Sequence, residues 1–187
     1  MAKVRWPDRL LPIMILMFLL WALLEIGGRT EYLFDRVMAA VQIGLLWWTW
    51  RRFRVSTRTL LIAVLAISLH HLKLYGNVYL GLGFDNYMHF AASFALALLL
   101  VEVFPRMPVK SLFVFFAAIG AAASIEPLEY LGYAVIGSGE GILGYGAGDG
   151  GWSDTAFDLM ANMLGAAAAL VFCSISQRSA ARPRRGA

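Results

Sequence analysis

Six apolar stretches, at 10–27, 33–50, 58–76, 86–104, 111–133 and 154–173, together with the short connections between them, take up nearly all of this 187-residue chain. Crossing about 30 Å of hydrocarbon takes roughly 20 apolar residues in a helix rising 1.5 Å per residue. A backbone in lipid must satisfy its own hydrogen bonds, so stretches this long read as helices. The expectation is an all-α polytopic membrane protein, a bundle of six transmembrane helices forming a single domain over 1–176. A basic, disordered tail would follow at 177–187. Leu10 to Ile26 has no small-x-small cleavage site after it, and Glu25, Gly27, Gly28 and Arg29 lead directly into the next span, so it reads as the first helix and not as a removed signal.

Charge gives the orientation. Thirteen basic residues, among them Arg51, Arg52, Arg54, Arg58, Arg106, Lys110 and the Arg-Pro-Arg-Arg tail, fall on one side of this path, and Arg29, Arg36 and Lys73 fall on the other. The positive-inside rule then puts both termini in the cytoplasm of a cell whose inner membrane holds the protein. The net charge of +4 is spread over helix ends, which suits anionic lipid and argues against nucleic acid as a partner. Trp47, Trp48 and Trp50 beside Arg51 and Arg52 read as an interfacial aromatic belt. Cys173 is the one cysteine, so no intramolecular disulfide is possible.

Small residues suggest where helices meet. Ala117, Gly120, Ala121 and Ser124 form a small face on helix 5, and Gly165, Ala166 and Ala169 do the same on helix 6. The Gly-rich stretch 137–151 lacks the Gly-Lys-Ser/Thr ending of a phosphate-binding loop and reads as a connector or as a lid over the outer face.

The informative feature is where the acidic residues gather. Asp85 and His89 lie four apart near the start of helix 4, on one helical face. Glu126 and Glu129 flank Pro127 near the outer end of helix 5. From Lys110, Glu126 lies about 24 Å up its helix. Asp154, Asp158 and Asn162 descend helix 6 at a spacing of four. Asp85 or Asp154 could serve as helix caps, but Asp158 and Asn162 lie too deep for that. Ionisable groups inside a membrane are costly and mark ions, relays or shared protons. Oxygen ligands with one imidazole suit a divalent metal ion of the Mg, Mn, Fe or Zn kind. The expected ligands are Asp85, His89, Glu126, Asp158 and Asn162, with Glu129 or Asp154 as general base. His70 and His71 could add donors behind these ligands or serve as further ligands, and a buried hydrogen bond between helices is the plainer reading of each.

The pattern Asp85-x-x-x-His89-Phe90, Glu126-x-x-Glu129-Tyr130, Asp154-x-x-x-Asp158-x-x-x-Asn162-x-x-Gly165 resembles the YjdF-like inner-membrane proteins and, more distantly, the VanZ-like family. The resemblance covers roughly the last hundred residues and implies a small multi-helix inner-membrane protein with these positions in its site. Glu129 stands where VanZ-like proteins commonly carry Gln, which favours the YjdF-like branch, and the arginine often found before their last helix is missing, which argues against carrying over their link to glycopeptide resistance. The Glu-Glu-x-x-x-Arg motif of intramembrane CAAX-type proteases and the Ser-Gly-His of lipid phosphatases are absent. Three functions remain: a metal-dependent hydrolase or transferase on a lipid-linked or small-molecule substrate, a cation- or proton-coupled transporter with Glu102 as the inner acidic residue, and a noncatalytic accessory subunit held together by its polar cluster.

Overall fold

The computed structural model describes residues 6–25, 30–71, 78–79, 82–107, 109–127 and 151–181, with side chains described for all of these but 25, 30–35, 78–79, 151–154 and 177–181. Among the described residues six helices follow one another: α1 Pro7–Glu25, α2 Thr30–Phe53, α3 Thr57–His70, α4 Phe84–Val103, α5 Lys110–Ala123 and α6 Gly151–Ala181. By length and composition four of them, α1, α4, α5 with its next turn, and α6, suffice to cross a membrane, while α3 is apolar but shorter. The described part of α2 carries Arg36, Arg51 and Arg52. The protein is an all-α polytopic membrane protein. Between α3 and α4, β1 Val78–Tyr79 pairs antiparallel with β2 Leu82–Gly83.

The helix ends have local causes. α3 starts at Thr57 because Ser56 caps it, its Oγ accepting from Thr59 N at 3.2 Å. Glu102 near the end of α4 reinforces this start: Ser56 N and Oγ donate to its carboxylate at 2.5 and 2.8 Å, and Thr59 Oγ1 donates at 2.6 Å. This clamp fixes α3 antiparallel to α4. The regular part of α5 stops at Ala123, and the expected end at 133 lies outside the described residues. Pro127 has no N–H to offer the Ala123 carbonyl, and Ser124 Oγ bonds back to Gly120 O at 2.8 Å, which favours a bend. A further helical turn covers 125–127. α6 runs on past the expected end at 173 to Ala181 because no Gly or Pro lies between Gly165 and Pro183, so helix takes up the first residues of the expected tail.

α4 is the hub. It packs on α3, α5 and most extensively on α6, while α1 packs on α2. The α4–α6 seam is close: Gly165, Ala166 and Ala169 are all buried, and a methyl group added at Gly165 would overlap the carbonyl of Phe90. The small face expected on α5 is a correction. Gly120, Ala121 and Ser124 are exposed, and the buried stripe is Val114, Ala118 and Ala122 on another side. Both sides of α5 carry small residues, so smallness alone did not identify the packed one.

Candidate metal centre

The tight α4–α6 seam brings the polar residues of two helices to one point. Asp85 stands in the first turn of α4, whose N-cap is Gly83, so Asp85 is not the cap. One turn on, His89 is buried, and its Nε2 lies 3.6 Å from Asp85 Oδ2 and 3.7 Å from Asp158 Oδ2. Asp158 and Asn162, one turn apart on α6, are each 1% exposed. One ligand atom from each of Asp85, His89 and Asp158 falls within 4.8 Å of the others, a compact set that can hold a metal ion.

Two residues that sequence reasoning did not assign complete the arrangement. Asn86 Nδ2 donates to Asp158 Oδ1 at 2.9 Å, leaving Oδ2 turned towards His89. Ser93 Oγ donates to Asn162 Oδ1 at 2.7 Å, and Asn162 Nδ2 lies 3.1 Å from His89 Nδ1. The signal was present in the chain, since Asn86, His89 and Ser93 follow at three and four residues on one side of α4.

The amide of Asn162 decides what His89 can do. As placed, Nδ2 donates to Nδ1, so a neutral imidazole carries its proton on Nε2, between the two aspartates. Turned over, Oδ1 accepts from Nδ1–H and the Nε2 lone pair faces the carboxylates, while Ser93 Oγ accepts from Nδ2. A ligating imidazole needs that second arrangement, its other ring nitrogen donating to an acceptor. Two carboxylate oxygens and one imidazole nitrogen, with Asn162 and Asn86 behind them, form a donor set suited to a divalent ion.

Of the remaining expected residues, one stands apart from this set and two have side chains that lie outside the described residues. Glu126 is buried in the turn after α5 but stands outside the compact set of three. Glu129 and the side chain of Asp154 lie outside the described residues, as does the Gly-rich stretch up to residue 150. His71 packs its ring 5.3 Å from Phe18 and 5.2 Å from His70. Arg36 is 2% exposed and holds its guanidinium 3.6 Å over the Trp21 ring, joining α2 to α1. Of the aromatic belt, Trp50 is buried and Trp48 is exposed.

Fold and site together define a helical membrane protein with an Asp–His–Asp cluster buried between two spans. The chain belongs to the family described as "Predicted membrane protein (DUF2238)", which matches residues 8–179. No curated protein and no solved structure matches it.

Proposed function

We propose that Asp85, His89 and Asp158 bind a divalent metal ion at the outer face of the inner membrane, and that the protein is a metal-dependent hydrolase or transferase acting on a lipid-linked substrate. The observation that carries this reading is the convergence of their ligand atoms within 4.8 Å around the nearly inaccessible Asp158. When bound, such an ion supplies a Lewis acid and a water of lowered pKa. The chain's own residues do the rest. Asn86 holds Asp158 by one oxygen and leaves the other for the ion. Asn162, itself held by Ser93, sets the orientation of His89. Glu129 and Asp154, by their places in the sequence, are the candidates for taking a proton from the attacking group. The resemblance to YjdF-like and VanZ-like proteins supports a site at these positions.

The transporter reading asks for an acidic relay in the opposite half of the bundle. Glu102 is the candidate there, and it is engaged by Ser56 and Thr59 as a helix clamp. This observation favours a site at one end over a path through the bundle. The test is metal analysis of the detergent-purified protein with Glu129→Gln and Asp154→Asn beside it. The reading expects one divalent ion per chain in all three. Protein that stays folded and retains no ion overturns it.

A further inference from the structure

A second feature opens from the same histidine. A cavity of about 360 Å³ lies between α2, α3 and α4, reaching Ile125 after α5, and His89 forms part of its wall. Along α4 it extends from Met88 to Leu99, about 16 Å of helix axis. Among the described residues its polar lining is Gln42, Thr49, His70 and His89, and the other lining residues, including Leu46, Ala66, Ala95 and Leu96, carry hydrocarbon or thioether side chains. His70 ends α3 and His89 stands near the start of the antiparallel α4, so the two imidazoles mark one end of the cavity.

Leu45 and Ala92 also line it, and both are exposed. Exposed hydrocarbon in a membrane helix faces lipid, so the cavity opens sideways into the bilayer. Its volume falls within the range of about 300–1,000 Å³ usual for ligand pockets. An apolar wall without an occupant also forfeits its dispersion contacts. We infer that the cavity holds the single hydrocarbon chain of a membrane amphiphile, entering from the bilayer between α2 and α4, with its oxygen-bearing head at His89 and the Asp85–Asp158 pair. This deepens the metal-site reading and rests on it for the placement of the head.

The test uses the full-length protein in liposomes with a long-chain alkyl phosphate carrying a diazirine in its tail, and cross-links mapped by peptide mass spectrometry. Labelling is expected to saturate at Leu45, Ala66 and Ala92, and to be competed by unlabelled long-chain alkyl phosphate but not by ethyl phosphate. Leu24 on α1, 82% exposed, reports ordinary contact with lipid. Ala92→Phe and Ala66→Phe, each filling the cavity from a different helix, should lower the competable labelling about tenfold with metal content unchanged. Labelling no stronger than at Leu24, or unaffected by both substitutions, overturns the chain site. If that happens while the ion is retained, the metal centre stands alone. Cavity labelling in protein that retains no ion overturns the metal centre and leaves the chain site.

Discussion

Asn162 joins His89 to Ser93: its Nδ2 lies 3.1 Å from His89 Nδ1, and its Oδ1 accepts from Ser93 Oγ at 2.7 Å. The pair spans the α4–α6 seam and governs which nitrogen of His89 faces the two aspartates. Asn162→Leu keeps the size of the side chain and removes both bonds. Metal affinity should fall about 10–100-fold, as for other residues that orient a ligand. Ser93→Ala removes one bond to the amide and should have a smaller effect. Titration with Mn or Zn checks both, and unchanged affinity in Asn162→Leu would show that the amide does not orient the ligand.

Asp158 and Glu126 are both buried, but only Asp158 belongs to the compact set. Asp158→Asn should lose most of its metal, and Glu126→Gln should retain it. Removing one member of a buried charged cluster can cost about 3–5 kcal/mol, so thermal unfolding must be followed beside metal content. Metal retained by folded Asp158→Asn, or lost equally in Glu126→Gln, would move the site.

Gly165 and Gly120 separate packing from propensity. At Gly165 an added methyl meets the Phe90 backbone, whereas at Gly120 it meets nothing within 4 Å. Gly165→Ala should destabilise by about 1–3 kcal/mol through overpacking. Gly120→Ala should be neutral or stabilising by up to about 1 kcal/mol, because alanine is the better helix former. Comparing the two melting temperatures in one detergent checks the contrast, and equal shifts would deny the close seam.

Glu102 accepts from Ser56 and Thr59 at the start of α3. Glu102→Gln weakens charge-assisted bonds at a partly exposed site where water competes, so a loss of about 1 kcal/mol is expected. Metal content should not change. Loss of ion flux in liposomes together with unchanged stability would instead favour the transporter reading.

Much of the fold can be read from the chain, because a bilayer leaves few alternatives to apolar helices. Asp85, His89, Asp158 and Asn162 stand out since spacing by four on two helices survives any small rotation. The rest depended on contacts between helices. The break after Ala123 comes from Pro127 and Ser124 acting together within one apolar run. The buried side of α5 depends on where α4 and α6 lie, and composition is similar on both sides. The pairing of Asn86 with Asp158 joins residues 72 apart, and local pattern carries no sign of it. The cavity beside His89 is bounded by α2 and α3, and no local pattern on those helices places Gln42, Thr49 and His70 beside α4.

The metal content of the purified protein tests the central claim most directly. Protein extracted in mild detergent, exchanged separately into Mg, Mn, Fe and Zn and then desalted, should retain one of these ions at about one per chain, and His89→Ala should retain far less while still folded. An intact, folded wild-type protein that keeps none of the four, or a His89→Ala variant that keeps as much as wild type, would contradict the Asp85–His89–Asp158 centre.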